Sequence, residues 1–523
     1  MPLAFPAFLG RFGALTGIQA LAIPAIMAGN DVLVIAPAAS GKTEAAMAPL
    51  CQRMTGERTI EPGVGILYVV PTKALANDIE SRIRGPVTSM GMTSQVRTGD
   101  HPRPVGTHRT DVLITTPESL DSLLCRVPAA FNNLSALLVD EAHLVDSTAR
   151  GDQLRILIRR ITMKKSARRP QLIAMSATVG DPEALGSRLF GEPPVIVKDD
   201  GVRHMDTTFE PDLAAALAAM RAEGLTKAII FCNTRRRTEE AAAEAAKSGP
   251  WPAERVMAHH ASLPAREREE VESAFRYWEA GLLVSTSTME LGVDIGDVDA
   301  VILADPPDSV ASLYQRVGRG CRRRRGMRAI FVAPDPASRA AFERLMTEVR
   351  EHRMPTGPYR PDLSVVVQQT FSLLFENRRG LKRGTIRKIL SVLADGSTVD
   401  IIIDHLRSEG FLEEGAAEVL RASARLMDMG ESGRIHSNIA DTKSVRVFDS
   451  ATGRTVGLVS RGSAAGASVT IGGRSWTVTD SSGRGVSVRA SRADATESTA
   501  RFGGSGDGGA FTRYLPEELR GLN

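Results

Sequence analysis

Between Asp31 and Val332 short apolar, largely β-branched runs alternate with stretches of helical period. The runs are Val32–Ile35, Ile66–Val70, Val112–Ile114, Ala136–Val139, Leu172–Met175, Ala228–Phe231, Leu282–Ser285, Ala300–Leu303 and Ile330–Val332. Strands that are apolar throughout, with helices between them, predict parallel sheets covered on both faces. Nine such strands are too many for one compact unit. A Gly/Pro-rich polar stretch near Gly191–Gly201 marks the break between two α/β domains. After about Asp335 the pattern becomes helical, over Ala340–Arg350, Leu363–Glu376, Thr385–Leu393 and Val399–Glu409. Beyond about Gly430 it changes again, to short strands punctuated by glycine: Ser444–Phe448, Val456–Val459, Ser468–Ile471, Ser475–Val478 and Gly485–Arg489. That spacing predicts a small antiparallel barrel or sandwich.

Length and composition narrow the picture further. At roughly 150 residues per domain, 523 residues make three or four domains. A chain that is 42% hydrophobic and 24% charged is globular rather than disordered. The net charge of +4 is small, so any nucleic-acid surface is local. Cys51, Cys125, Cys232 and Cys321 form no C-x-x-C pair, which excludes a disulfide framework and argues against a zinc ribbon or iron–sulfur cluster. The longest apolar stretch, Ala14–Ala39, is interrupted by Gln19, Pro24, Asn30, Asp31 and Pro37, too often for a membrane span. The N-terminus has no basic n-region or cleavage site. The expectation is a soluble, cytoplasmic protein with no membrane partner.

Two motifs carry chemistry. Strand Val32–Ile35 runs into Ala36-Pro-Ala-Ala-Ser40-Gly41-Lys42-Thr43 and then a helix from Glu44, the strand–loop–helix setting of a phosphate loop. Backbone N–H groups at a helix N-terminus meet phosphates, Lys42 neutralises the terminal ones and the Thr43 hydroxyl ligates Mg²⁺. The loop departs from the usual pattern at Ala36, and it holds Ala38 and Ala39 where glycine would let the backbone approach more freely. The second motif, Asp140-Glu141-Ala142-His143, follows strand Ala136–Val139 and puts two carboxylates where parallel-sheet enzymes do their chemistry. Asp140 is the candidate Mg²⁺ partner and Glu141 the residue that orients and deprotonates water.

Further motifs follow in order: Ser176-Ala-Thr178 and Gln315-Arg-Val-Gly-Arg319-Gly-Cys-Arg322, with Pro71–Ala76, Thr98-Gly-Asp100, Thr116-Pro-Glu-Ser119, Phe231–Arg235 and Ser287–Gly296 among them. This set resembles a superfamily 2 helicase of the DEAD/DEAH-box type. His259-His-Ala-Ser-Leu-Pro-Ala-Arg266, followed by Glu269–Glu272, is most similar to the Lhr (large helicase-related) group. The resemblance implies two RecA-like parallel-sheet domains (1–195 and 196–335), then a winged-helix domain (336–425) and a small β-barrel-like domain (426–523).

It also implies residue roles. ATP and Mg²⁺ are the cofactors, bound through Gln19, Ala36, Ser40, Gly41, Lys42, Thr43, Glu44, Asp294 and Arg316. Gln19 is similar to an adenine-reading glutamine, with helix capping as the other reading. Gln315, Arg319 and Arg322 resemble the second domain's water-positioning glutamine and arginine fingers. His143, Ser176 and Thr178 would couple hydrolysis to strand separation. Thr72, Lys73, Gly99, Thr116, Glu118, Ser119, Asn233, Arg235, His260 and Thr286 are the nucleic-acid contacts, mostly groups suited to phosphate and sugar oxygens. Trp476 is either a base-stacking residue or a core residue of its strand. The implied activity is ATP-driven 3′→5′ movement on single-stranded DNA, unwinding DNA or RNA:DNA duplexes. An RNA helicase, or an ATP-gated clamp with little turnover, is the alternative.

Overall fold

Each of the nine apolar runs forms the body of a strand. The computed structural model describes residues 1–37, 40–57, 61–164, 169–177, 179–199, 204–290, 295–320, 326–350, 359–439, 444–453, 455–460, 468–471, 474–482, 485–490 and 509–520. Its first sheet contains β1 (Val32–Ile35), β2 (Gly63–Val69), β3 (Ser94–Arg97), β4 (Arg109–Thr115), β5 (Ala136–Val139), β6 (Gln171–Ser176) and β7 (Val195–Lys198). The order is β3-β4-β2-β5-β6-β1-β7, all parallel. Helices α1 (Gly17–Met27), α2 (Lys42–Glu57), α3 (Lys73–Ser89), α4 (Pro117–Arg126), α5 (Ala149–Thr162) and α6 (Pro182–Phe190) belong to the same region. Two apolar cores form, one on each face: Val34, Ile66, Tyr68 and Leu138 fall in one, and Leu33, Leu67, Leu137 and Leu172 in the other. Alternating side chains along one strand produce that division.

The second sheet repeats the plan. It contains β8 (His204–Glu210), β9 (Lys227–Phe231), β10 (Val256–His259), β11 (Gly281–Ser285), β12 (Ala300–Leu303) and β13 (Gly326–Val332) in the order β10-β11-β9-β12-β13-β8, all parallel. Its helices are α7 (Leu213–Ala222), α8 (Arg235–Ser248), α9 (Ala265–Tyr277), α10 (Val310–Val317) and α11 (Pro336–Arg350). Both sheets are the parallel α/β layers of RecA-like lobes.

A helical segment follows: α12 (Leu363–Glu376), α13 (Arg383–Leu390), α14 (Gly396–Ser408) and α15 (Ala424–Glu431), with β14 (Leu381–Lys382), β15 (Leu412–Glu414) and β16 (Val419–Ala422) in an antiparallel sheet of order β14-β16-β15. Strands β17 (Ser444–Asp449), β18 (Thr455–Ser460), β19 (Ser468–Ile471), β20 (Arg474–Ser482) and β21 (Gly485–Ala490) make a five-stranded sheet of order β18-β17-β21-β20-β19, parallel only between β17 and β21. The last element among the described residues is a short helix, α16 (Glu517–Arg520).

Compactness divides the chain differently from the linear segments 336–425 and 426–523. One unit comprises Met1–Gly201, Pro355–Asp441 and Asp507–Asn523, and the other Val202–Met354 and Thr442–Gly506. The helical segment and the C-terminal tail therefore belong with the first sheet. Phe511, Leu515 and Leu519 of the tail enter the same apolar cluster as Phe371, Val399 and Ile402. The return is pinned at Asn438, whose carbonyl oxygen accepts from the Ala510 N–H at 3.0 Å and whose Oδ1 accepts from the Phe511 N–H at 3.1 Å.

A buried polar network joins α4, α5 and α12 within the first unit. Asp121 is fully buried, and its Oδ1 accepts from Arg160 (3.0 Å), Gln369 (3.1 Å) and the Ser372 hydroxyl (2.6 Å), while Oδ2 faces His436 Nδ1 at 2.7 Å. Burial alone would raise the Asp121 carboxyl, yet His436 and Arg160 hold it below its ordinary value. Asp121, Cys125 and His436 bring donor atoms within 4.8 Å of one another, a metal-like cluster. The Arg160 guanidinium already donates to both Asp121 and Cys125, so the positive charge there is its own. Arg160→Met is expected to lower the stability of this unit by about 3 kcal/mol, read by chemical denaturation, because it leaves a buried carboxylate without its guanidinium.

Among the described residues, no helix is long and apolar enough to cross a membrane.

Candidate nucleotide site and neighbouring loops

The C-terminal ends of parallel strands carry most of the candidate groups in the first unit. After β1 the chain turns sharply at Gly41, whose φ of +89° suits glycine. A Cβ there would also lie 2.4 Å from Gln19 Nε2, so the glycine lets α1 and the loop close together. Helix α2 starts directly afterwards, with Lys42, Thr43 and Glu44 all buried in its first turn. Lys42 Nζ folds back over the loop, donating to the Ala36 carbonyl at 2.6 Å and the Pro37 carbonyl at 3.1 Å. The Ser40 hydroxyl is buried, with no hydrogen-bond partner among the described residues. Ala38 and Ala39 lie outside the described residues.

Gln19 takes the capping reading. Thr16 caps α1, its Oγ1 accepting from the Gln19 N–H at 3.4 Å, and Gln19 Oε1 accepts in return from the Thr16 N–H at 3.0 Å. Gln19 Nε2 also donates to the Gly41 carbonyl at 3.4 Å, so the glutamine supports the loop as well as the helix. Glu44 pairs with Arg11 at 3.4 Å and Arg82 at 3.5 Å, which places it behind the loop as a charge partner.

The acid pair follows β5. Asp140 is 5% exposed; its Oδ1 accepts from the Glu141 N–H at 2.9 Å and its Oδ2 from the Tyr68 hydroxyl at 2.7 Å. Burial, then the Glu141 charge, push the Asp140 carboxyl up, and Lys42 opposes them. Glu141 sits in the left-handed region, at φ 45° and ψ 47°, a strain of about 1–2 kcal/mol for a residue with a Cβ. That turn separates its carboxylate from that of Asp140. Glu141 Oε2 is buried and makes no hydrogen bond among the described residues.

His143 links this corner to β6. Its Nδ1 lies 3.0 Å from the Ser176 hydroxyl and accepts from the Ala177 N–H at 3.4 Å, while Glu141 Oε2 lies 3.7 Å away. Burial, then the Lys42 charge, push the imidazole down to about 3, so it is neutral and Nδ1 is an acceptor. In the sheet, β6 lies between β5 and β1. Ser176 thus stands between the acid pair and the phosphate loop, and its carbonyl accepts from the Ala36 N–H at 3.2 Å. Thr178 lies outside the described residues.

Thr43 and Asp140 are hard oxygen donors of the kind that hold a divalent cation. The Tyr68 hydroxyl donates to Asp140 Oδ2 at 2.7 Å and helps to hold that carboxylate in place. Sequence reasoning passed over Tyr68 because it lies inside the apolar run of β2. The signal was its hydroxyl, which a fully buried tyrosine has to pair.

Past β5 the sheet continues through β2, β4 and β3, whose ends carry the expected strand contacts. The Thr72 hydroxyl caps α3, accepting from the Leu75 N–H at 3.2 Å. Lys73 is half-exposed and pairs with Asp100 at 2.7 Å, beside the exposed Gly99. Thr116 and Ser119 are buried at the start of α4. Glu118 accepts from Arg150 through two bonds of 2.6 and 3.1 Å.

In the second unit, Gln315 and Arg319 are buried at the end of α10. The Arg319 guanidinium donates to the Glu290 carbonyl at 2.8 Å. The Arg316 guanidinium donates to Glu290 Oε1 at 2.7 Å and Asn233 Oδ1 at 2.9 Å and lies over the Phe231 ring. Asn233, itself exposed, donates from Nδ2 to the Pro306 carbonyl at 2.7 Å. Arg235 opens α8 half-buried, and Thr286 is buried after β11. His260 is fully buried, its Nε2 2.7 Å from the buried Glu239, so its side chain faces protein and not a nucleic-acid strand. Trp476 takes the core reading, packed with Leu263, Val447 and Val488. Asp294 and Arg322 lie outside the described residues.

Comparison with known proteins adds a second line of support. The DEAD/DEAH box helicase model matches residues 16–185, and the helicase conserved C-terminal domain model matches residues 212–324. The Lhr helicase/probable uracil glycosylase of Mycolicibacterium smegmatis is 33% identical over 377 residues, 60% of this chain and 25% of its own length. The ATP-dependent helicase Lhr-Core protein 2 of Thermococcus barophilus is 30% identical over 420 residues, 71% of this chain and 48% of its own. The chain thus spans between a quarter and a half of the length of these two relatives. Among solved structures, Mycobacterium smegmatis helicase Lhr bound to ssDNA and AMP-PNP superposes with a TM-score of 0.72 at 28% identity, over 84% of this chain and 62% of that one.

Proposed function

We propose, from the premise that this chain is a superfamily 2 helicase of the Lhr type, that it is a DNA-stimulated ATPase that moves 3′→5′ along single-stranded DNA and unwinds DNA or RNA:DNA duplexes. The observation that carries this reading is the division of one sheet edge. The ends of β1 and β5 hold the lysine and the acid pair, β6 lies between them with Ser176, and the ends of β2, β4 and β3 bring the strand-facing loops alongside.

In this reading the loop N–H groups and Lys42 hold the triphosphate, and Thr43 and Asp140 hold Mg²⁺. The ion, when bound, offsets phosphate charge and orients the terminal phosphoryl group. Glu141 takes the proton of the attacking water through the buried Oε2, which makes no hydrogen bond among the described residues. Neutral His143 reports the state of this corner to Ser176 through their shared hydrogen bond. Gln315, Arg319, Arg322 and Asp294 are assigned to nucleotide hydrolysis by their motifs. Thr72, Lys73, Gly99, Thr116, Ser119, Asn233, Arg235 and Thr286 are assigned to the strand, with Arg150 added by its pairing to Glu118. The helical segment with its β14-β16-β15 sheet is assigned as a winged helix and the five-stranded sheet as a small β-barrel-like domain.

The test is a panel of duplexes with DNA or RNA tails of both polarities, scored for ATP-dependent unwinding. Unwinding from 3′ DNA tails alone is expected; ATPase activity indifferent to every nucleic acid would end the motor reading. Strand binding is also expected to weaken steeply with salt. Each phosphate contact released contributes about −0.7 to the slope of log affinity against log salt. A flat binding isotherm series from about 50 to 200 mM salt would remove the phosphate-tracking loops from the model of action.

A further inference from the structure

Ser312, Arg316 and Arg319, in and just beyond α10, share one face. Their spacings of four and three residues stack them along one side of the helix and of the turn that continues it, where the Arg319 N–H donates to the Arg316 carbonyl at 3.1 Å. All three converge on Glu290. Its Oε1 accepts from Arg316 Nε at 2.7 Å and from the Ser312 hydroxyl at 3.0 Å, and its carbonyl oxygen accepts from Arg319 Nη2 at 2.8 Å. The Glu290 N–H donates to the Ser287 carbonyl at 3.0 Å, closing the single turn Ser287–Met289 that follows β11. Strand β11 pairs with β9, and Arg316 reaches the loop after β9 as well, donating from Nη1 to Asn233 Oδ1 at 2.9 Å. The Glu290–Arg316 pair is shielded from water, with side chains 9% and 3% exposed. Sequence reasoning recorded Glu290 only as one position of the Ser287–Gly296 motif.

We propose that Glu290 is a positioning residue for Arg319, anchoring one face of α10 and so fixing the place from which that guanidinium acts in ATP hydrolysis. This deepens the assignment of Arg319 to hydrolysis, and rests on it. A guanidinium serves a developing phosphoryl charge only from a defined place, and a misplacement of about 1 Å costs about 10²-fold. An arginine side chain has many rotamers to lose, so that place has to be built by its surroundings. Here it is built on a backbone carbonyl, which moves only when the residue that carries it moves. The Glu290 carboxylate prevents such movement through its bond to Arg316. Arg316 is held in its turn by Asn233 through another arm of the same planar group, and by the Phe231 ring, 5.5 Å from the guanidinium carbon. A lysine at 316 could not make the two bonds from one rigid plane. The same bonds tie the Arg319 anchor to Asn233, which is assigned above to the strand.

The experiment measures ATPase kinetics of the full chain with saturating single-stranded DNA for wild type, Glu290→Gln, Arg319→Ala and the double variant, with thermal melting of each. Glutamine keeps the shape of Glu290 and removes the charge that holds Arg316. Glu290→Gln is expected to lower kcat by about 10- to 100-fold while KM for ATP holds, the mark of an interaction made in the transition state. In Arg319→Ala protein it is expected to lower kcat no further, because the placement of an absent guanidinium has no effect. A merely structural carboxylate would lower the melting temperature and leave kcat alone, or cost the same factor in both backgrounds, and either result overturns the proposal. Arg319→Ala with wild-type kcat would remove the hydrolysis assignment as well as this proposal. Wild-type ATPase indifferent to DNA would end the motor reading and the proposal with it, so each of these failures is distinguishable from that of Glu290 alone. Should Glu290→Gln not fold, Glu290→Asp keeps the charge and draws it back from Arg316 by one carbon. Its loss of kcat is also expected to vanish in Arg319→Ala protein, and a loss of equal size in both backgrounds overturns the proposal.

Discussion

Glu141→Gln is expected to leave nucleotide bound and to slow its hydrolysis by about 10²–10⁴-fold, the range over which a positioned general base contributes. The substitution keeps length, volume and the left-handed backbone at φ 45°, so the turn after β5 survives it. What it removes is the ability to accept a proton at a buried carboxylate oxygen of this corner that the described residues leave without a hydrogen bond. His143 does not substitute for it. That imidazole is already neutral, pushed down to about 3, but its Nδ1 is engaged by the Ser176 hydroxyl and the Ala177 N–H. Asp140 does not substitute either, because Tyr68 and the Glu141 N–H occupy one lone pair on each of its oxygens. The measurement is single-turnover hydrolysis with saturating single-stranded DNA, beside a titration of nucleotide binding. A variant whose rate stays within about tenfold of wild type, below the general-base range, takes Glu141 out of the proton transfer.

The contrast between what could and could not be read in advance follows sheet position. All nine strands named from the sequence have apolar runs. In the two parallel sheets the four strands that were not named, β3, β7, β8 and β10, are the edges. An edge strand is half-solvated, as in β3, where none of the four residues is fully buried, and so it lacks the continuous apolar signature of an interior strand. The return of Phe511 to the core beside Phe371 was invisible for another reason: it is a contact between segments far apart in the chain, which no local pattern encodes.

Motif spacing was a good guide to which residues gather and a poorer one to what each of them touches. Lys42, Asp140, His143 and Ser176 meet as expected because each leaves the end of a neighbouring strand. Arg316, His260 and Glu118 also stand at strand or helix ends, but each satisfies a buried or half-buried partner of its own unit: Glu290, Glu239 and Arg150. A sequence states that a group is charged and nearby; only packing decides whether its partner is a ligand or a neighbour. Tyr68 is the converse case. It was hidden in an apolar run, and its hydrogen bond to Asp140 is legible only in the folded chain.

Lys42→Ala is the second large effect, expected to reduce turnover at least about 10²–10³-fold, the range for loss of one preorganised charge at a reacting centre, and to weaken nucleotide binding as well. The two losses have separate structural causes. An ammonium has three donors, and Lys42 gives two of them to the Ala36 and Pro37 carbonyls at 2.6 and 3.1 Å. Alanine therefore frees the loop that has to meet the phosphates, which lowers affinity. It also removes a buried positive charge that favours ionised Asp140 and neutral His143, so the acid pair and its link to Ser176 lose the field that sets their protonation. Glu141→Gln leaves the loop contacts and the Lys42 charge in place, and losing the Glu141 charge moves the Asp140 carboxyl down rather than up, which gives the pair of variants its value. Lysine loss lowers both nucleotide affinity and rate, whereas glutamate loss lowers rate alone. Steady-state ATPase with and without single-stranded DNA, together with nucleotide titration and thermal melting to confirm the fold, separates the two outcomes. If Lys42→Ala binds nucleotide as tightly as wild type, the loop after β1 is not the phosphate site, and the roles assigned to Thr43, Asp140 and Glu141 around it fall together.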